Sequence, residues 1–217
     1  MRQRKAKDLE KRLQSCSAYM VEEKHVQPWK KVFDREAELF LEIGCGKGSF
    51  IIQKALQNPQ HDFIAVEGQE TVILRALEKA KETADARPAP LANLKFLLTY
   101  VDHMDDFFTE YQLSGIYLNF SDPWPKARHA KRRLTYRKRL EDYARHLKPG
   151  GFIEIKTDND GLYDFTLEEI AAAGLQIAEQ TCDLHSSDYE ARHTTTEYEE
   201  KFKSTGKNIN YVKVLAK

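Results

Sequence analysis

The first stretch able to do chemistry is Glu42-Ile43-Gly44-Cys45-Gly46-Lys47-Gly48-Ser49, which follows an apolar run and opens a helical pattern. A Walker phosphate loop needs Gly-Lys followed directly by Ser or Thr, and here Gly48 follows Lys47, which excludes it. The dinucleotide fingerprint sets its third glycine three residues after the second, whereas Gly48 comes two after Gly46, which counts against a nicotinamide site. A loop packing on a nucleoside without phosphate needs glycines for close backbone approach and an acid beside them. Glu42 supplies that acid.

Glu67 stands 21 residues after Gly46, at the end of a second apolar run. An acid about 20 residues downstream accepts ribose hydroxyls in nucleotide-binding βαβ units. With Asp102, Glu42 and Glu67 would surround a ligand with negative charge, which repels phosphates and suits a cation. S-adenosylmethionine carries both a sulfonium and an ammonium, and is the expected cofactor. Cys45 reads as a small loop residue; no activating His stands near it.

A second stretch, Leu118-Asn119-Phe120-Ser121-Asp122-Pro123-Trp124-Pro125-Lys126, puts Asp122 at the carboxyl end of a strand, where open α/β sheets bind ligands. Pro123 and Pro125 fix φ and stiffen the loop, as alignment of two reactants requires. Trp124 is placed either to stack on a base or to pack on the sheet edge.

These residues need a scaffold. Apolar runs predict strands at Leu39–Ile43, Phe63–Glu67, Leu94–Leu98, Gly115–Phe120, Phe152–Thr157, Leu175–Cys182 and Tyr211–Leu215. Helical patterns occur near Ser49–Gln57, Glu70–Thr83, Tyr136–Leu147 and Leu162–Ala173. Alternation of this kind implies an α/β fold, a parallel sheet with helices on both faces. Pro149-Gly150-Gly151 is expected to end a helix and lead into a strand, and Gly174 to end the next. Residues 1–36 read as a helical or mobile basic extension interrupted at Gln27-Pro28-Trp29, and residues 37–217 as one domain.

With 34 basic and 34 acidic residues the chain is formally neutral, which argues at first against a polynucleotide partner. The charges are segregated, however. Lys126, Arg128, Lys131, Arg132, Arg133, Arg137, Lys138 and Arg139 fall in fourteen residues without an acid, and residues 1–12 carry a surplus of four, so the other 191 residues hold a net −12. A basic run of this kind suits phosphates, each neutralised phosphate releasing a counterion; the competing use is a solvated face. Apolar residues at 41% suffice for a core and exclude wholesale disorder. No run approaches the ~20 apolar residues of a membrane helix. The charged start predicts no secretory leader. Cys16, Cys45 and Cys182 predict neither disulfides nor a metal centre, and the expected compartment is the cytoplasm.

Glu-Ile-Gly-Cys-Gly-Lys-Gly, Ser-Asp-Pro-Trp-Pro-Lys with Arg-His-Ala-Lys-Arg-Arg-Leu, Lys156-Thr157-Asp158-Asn159 and Thr196-Glu197-Tyr198-Glu199-Glu200-Lys201-Phe202 together resemble the bacterial tRNA (guanine-N7-)-methyltransferases. The glycine loop alone is shared by methyltransferases at large; the Asp-Pro-Trp-Pro-Lys and Arg-His-x-Lys-Arg-Arg pair is far more specific. The resemblance implies a Rossmann-like class I methyltransferase with a seven-stranded, mostly parallel sheet whose last strand is antiparallel. It implies a methyl transfer from S-adenosylmethionine to a guanosine in the tRNA variable loop. Glu42, Gly44, Gly46, Glu67, Asp102 and Asp122 then become cofactor-binding positions, with Asp122 also catalytic. Lys126, Asp158, Thr196, Glu197, Tyr198 and Glu199 become substrate contacts, and Arg128, His129, Ala130, Lys131, Arg132 and Arg133 the RNA-binding stretch. Where the family has Asp-Ala after the third strand, this chain has Val101-Asp102-His103. From the residues themselves the expectation is a nucleic-acid methyltransferase; guanine N7 comes from the resemblance. Another base methyltransferase, a catalytically idle RNA-binding protein of the same fold, and an NAD-dependent oxidoreductase stay as alternatives. Thr196 followed by Glu199 also fits a helix cap.

Overall fold

Leu39–Ile43 (β1) is buried at every residue and Asp62–Glu67 (β2) at all but the last, the continuous apolar pattern of parallel strands covered on both faces. A computed structural model of the chain describes residues 7–21, 29–88, 90–190, 194–195, 199 and 206–216. The chain divides into two compact units, Met1–Asp102 and His103–Lys217. Seven strands are described, three in the first unit and four in the second, and the last strand is the antiparallel one, as expected.

In the first unit β1 pairs in parallel with β2, and β2 with Leu94–Leu98 (β3), giving the order β3-β2-β1. The short helices Leu9–Gln14 (α1) and Trp29–Phe33 (α2) precede them, and Ser49–Gln57 (α3) and Glu70–Asp85 (α4) connect the strands. Ile73, Leu74, Ala76, Leu77 and Ala80 put the buried positions of α4 on one stripe. The segment before β1 is tied to this unit: the Arg12 guanidinium grips Glu78 of α4 through Nε and Nη2 at 2.7 and 2.8 Å, and the Val21 amide donates to the Phe96 carbonyl at 3.0 Å. Of the expected interruption at Gln27-Pro28-Trp29, Trp29 opens α2, and Gln27 and Pro28 lie outside the described residues.

In the second unit the strands Leu113–Asn119 (β4), Leu147–Thr157 (β5), Gln176–Thr181 (β6) and Asn210–Leu215 (β7) lie in the order β4-β5-β7-β6. β4 and β5 are parallel, and β7 runs antiparallel to both β5 and β6. Arg137–His146 (α5) and Asp160–Ala172 (α6) flank them. Pro149-Gly150-Gly151 differs from expectation. α5 ends at His146, β5 begins at the next residue, and the three residues form an irregularity inside the strand, where Leu113 pairs with Leu147 but Gly115 with Phe152. Such an insertion bends a strand without ending its pairing.

Gly48 explains the third glycine of the loop. Its φ is +77°, and a Cβ there would stand 2.8 Å from the Ala76 Cβ of α4, so the bare Cα is what lets the start of α3 meet α4. Gly44 shares the left-handed backbone but has nothing within 4 Å of its Cβ direction. Gly48→Ala should therefore lower stability by about 1–3 kcal/mol through overpacking added to backbone strain, and Gly44→Ala by less. Urea midpoints of the two variants, with m-values unchanged, check the order.

Candidate active site

The glycine turn is fastened to the end of β2 by three bonds, and a fourth, from Gln69, holds the Glu67 carboxylate. The Gly44 and Cys45 amides donate to the Val66 carbonyl at 2.8 and 3.0 Å. The Gly46 amide donates to Glu67 Oε2 at 3.2 Å, and the Gln69 amide to Glu67 Oε1 at 3.0 Å. Gly44 and Gly46 have φ of +77° and +57°, with open space over both Cα atoms. Glu42 is buried near the end of β1, opposite Ala65 of β2 in register. Burial first, then the charges of Glu42 and Glu67, push the Cys45 thiol well above its ordinary value. The thiol is thus protonated and inert near neutrality.

Glu42, Gly44, Gly46 and Glu67 are brought together in this way. Their donor set fits a cationic nucleoside. A carboxylate held by two amides keeps lone pairs for ribose hydroxyls, the glycines leave room for a ligand against the backbone, and the acids favour a sulfonium and an ammonium. Asp102 stands apart in kind: it is exposed and lies four residues past the end of β3. Tyr100, which the sequence did not single out, packs against this end of β2. A Cβ on Gly68 would lie 2.2 Å from its Cε1, and the ring is still 68% exposed. Gly68, a missing side chain directly after the acid, makes the room for it, but no local pattern names the ring that fills it.

The second unit carries the Asp122 loop. Phe120 and Trp124 have φ of +50° and +42°, conformations that L residues seldom adopt. The Phe120 amide donates to the Lys156 carbonyl at 2.8 Å, which fixes where the loop leaves β4. Asp122 is exposed. The basic stretch forms a 3₁₀ turn, Ala127–Arg132, folded around Trp124. The His129 ring meets the indole edge-on at 5.7 Å and the Arg132 guanidinium lies over it at 4.9 Å. Trp124 packs within its own loop, on His129 and Arg132, where the expected packing was on the sheet edge. Lys126, Arg128, Lys131 and Arg132 are exposed, and His129 and Ala130 half-buried. Arg133 points back, donating through Nε to the Pro123 carbonyl at 2.9 Å and through Nη2 to the Trp124 carbonyl at 3.1 Å.

Asp158 follows β5 and is half-buried, and Asn159 beside it caps α6 by accepting the Leu162 amide at 2.8 Å. Glu199 is almost wholly buried, and both its oxygens accept from the Lys156 ammonium at 3.1 and 3.3 Å. Lys156 also donates to the Thr194 carbonyl at 3.1 Å. The Glu199 carboxylate is therefore engaged from within the protein, and Lys156 is a residue whose role the sequence did not reveal. Thr196, Glu197 and Tyr198 lie outside the described residues.

Asp105, Asp142 and His146 bring ligand atoms within 4.8 Å of one another, the spacing of a metal site. Those atoms already serve each other. His146 Nε2 faces Asp105 Oδ1 at 3.1 Å, Asp142 accepts the Met104 amide at 2.9 Å, and Arg145 bridges both acids at 2.8 and 2.6 Å. The hydrogen bond from Arg145 holds the Asp105 carboxyl below its usual range. The cluster is an ion-pair clamp between the α5 end and residues 104–106. Among the described residues no helix is long and apolar enough to cross a membrane.

Comparison with known proteins agrees with this geometry. Residues 36–212 match the family described as "Putative methyltransferase". A tRNA (guanine-N(7)-)-methyltransferase of Mesoplasma florum is 47% identical over 180 residues, 82% of this chain and 80% of that protein. One of Streptococcus uberis is 40% identical over 217 residues, 99% of this chain and all of its own. Among solved structures, a SAM dependent methyltransferase from Aquifex aeolicus aligns with a TM-score of 0.57 at 14% identity, over 98% of this chain and 100% of that one, a likeness of fold. With a glycine turn fastened to an acid-bearing strand, a rigid Asp-Pro-Trp-Pro loop and relatives matched over most of its length, the chain belongs to the tRNA (guanine-N(7)-)-methyltransferase family.

Proposed function

We propose that this chain methylates N7 of a guanosine in the variable loop of tRNA, with S-adenosyl-L-methionine as donor. The observation that carries this is the match, at 40% identity and essentially full length on both sides, to a tRNA (guanine-N(7)-)-methyltransferase. The cytoplasm is the compartment proposed for this activity.

When bound, S-adenosyl-L-methionine supplies an electrophilic methyl group on a positively charged sulfur. Glu67 would hold the ribose hydroxyls, its own position fixed by the Gly46 and Gln69 amides. Glu42 adds negative potential to favour a cationic ligand. Guanine N7 has a free lone pair, so this chain needs no general base; it needs alignment and a field. Asp122 meets the positive charge that appears on the base and accepts hydrogen bonds from the guanine N1–H and N2–H₂ edge, which adenine lacks in that pattern. Asp158 supplies a second carboxylate for that edge. Lys126, Arg128, Lys131 and Arg132, all exposed, meet the phosphates. Asp102 stays a proposed cofactor contact, and Thr196, Glu197 and Tyr198 proposed substrate contacts.

Labelled S-adenosylmethionine with unmodified tRNA, followed by borohydride and aniline, should give label transfer and one cut in the variable loop, since this chemistry cleaves at 7-methylguanosine. Label without cleavage would move the reaction to another atom, and neither label transfer nor binding of S-adenosylhomocysteine would leave an RNA-binding protein of the same fold.

Asp122→Ala should lower kcat by at least about 10²-fold, the scale of a lost electrostatic contact, with tRNA affinity nearly unchanged by filter binding. Lys131→Ala with Arg132→Ala should flatten the dependence of log K on log salt by up to about 1.8, at roughly 0.7–0.9 per phosphate contact. An unchanged slope would make these residues a solvated face.

A further inference from the structure

Arg133 is the last residue of Arg-His-Ala-Lys-Arg-Arg, and by sequence it belongs with the phosphate-binding cations. Its side chain is used otherwise. Nε and Nη2 donate to two successive carbonyls, Pro123 and Trp124, at 2.9 and 3.1 Å. The guanidinium carbon lies over the ring of Phe165, on α6, 4.1 Å from its centroid. Arg133 is half-buried while its neighbours Lys131 and Arg132 are exposed.

The loop it grips is badly placed to hold itself. Pro123 and Pro125 have no amide hydrogen, so half of the four residues Asp122–Pro125 can donate nothing to the backbone ladder. Phe120 and Trp124 both sit at positive φ without being glycine, a strained arrangement that persists only where surroundings impose it. The two carbonyls bound by Arg133 flank the strained Trp124 Cα and follow directly on Asp122. A planar fork with donors in fixed directions can satisfy both at once and still lie flat on an aromatic ring; a lysine ammonium cannot do all three.

We propose that Arg133 is a positioning residue that clamps the Asp122-Pro123-Trp124-Pro125 loop onto α6 through Phe165, and is not one of the RNA phosphate contacts. It acts on turnover through Asp122, and so rests on the assignment of Asp122 made above. The number of cations that face the RNA in this stretch is correspondingly smaller than its composition suggests.

Arg133→Lys on the full chain separates the two roles, because it keeps the charge and removes the fork. The clamp predicts that kcat falls about 10- to 100-fold, the cost of misalignment, while tRNA affinity, its salt slope and the calorimetric affinity for S-adenosylhomocysteine stay within about twofold. It also predicts easier acrylamide quenching of tryptophan fluorescence, which reports Trp124 because the other tryptophan, Trp29, is buried. A phosphate contact predicts near-normal kcat for Arg133→Lys and a flatter salt slope for Arg133→Ala; that pair of results would overturn the proposal. Should both variants fail to fold, Phe165→Leu removes the ring under the guanidinium and must lower kcat without changing tRNA affinity, and unchanged kcat there would also overturn it. An Asp122→Ala enzyme with full turnover would remove the assignment of Asp122, whereas a dead Asp122→Ala beside a fully active Arg133→Lys removes the clamp alone.

Discussion

The parallel pairing of β1 with β2 is the constraint from which the donor side follows. In-register pairing from Leu39 with Asp62 to Ile43 with Val66 ends both strands at one level, so Glu42 and Glu67 come to neighbouring strand ends with no further arrangement. The chain must then reverse out of β1 into α3 within a few residues, and the left-handed backbone of Gly44, Gly46 and Gly48 achieves it. Because the turn is that tight, its amides reach back to Val66 and Glu67. One carboxylate thereby becomes a structural acceptor that still has lone pairs to offer a ligand. A larger residue at Gly44 or Gly46 would fill the open space beside the turn, and at Gly48 it would separate α3 from α4.

A formally neutral chain can serve a cationic cofactor and a polyanionic substrate because the two charges are kept apart in sequence. The acids proposed for the donor stand at strand ends of the first unit. The exposed cations proposed for the phosphates, Lys126, Arg128, Lys131 and Arg132, lie on one 3₁₀ turn of the second unit and the residue before it. Net charge governs solubility and long-range association more than it identifies partners, so a sum of zero carried no information against tRNA. Salt screens the exposed cations over a Debye length of about 8 Å at physiological ionic strength, and leaves the acids around the Cys45 thiol much less affected, since burial there removes the screening solvent.

The strands were the most legible part of the fold. β1 and β3 match their expected limits, and α3 does as well, because a buried parallel strand and an amphipathic helix each leave a periodic trace. Pro149-Gly150-Gly151 was misleading, since turn-forming residues mark an irregularity in a strand as readily as its beginning. At the site, Glu42 and Glu67 were readable from spacing, as that spacing is itself the βαβ repeat. Tyr100 was not. Its placement depends on an absent side chain at Gly68, and no local pattern announces that a ring will fill the gap. Glu199 was readable as a charged residue in a motif, but the partner that buries it, Lys156, lies 43 residues away.

Lys156 and Arg133 make one physical point together. Both are cations beside residues assigned to substrate, and both turn inward. Lys156 is buried against Glu199 and the Thr194 carbonyl, at the end of the strand that leads into Asp158. Removing either member of such a pair leaves a buried charge uncompensated, at a cost of about 3–5 kcal/mol, although the pair itself contributes little net stability. The value of the arrangement is that it permits one conformation. Arg133 does the same for a loop that two prolines leave short of donors, using neutral carbonyls where Lys156 uses a carboxylate. A sequence shows how many cations a binding surface has to draw on, and packing decides how many reach the ligand. Here the rigidity of the Asp122 loop is made from the same residue types as the exposed cations beside it, and a count of lysines and arginines is an upper bound on phosphate contacts.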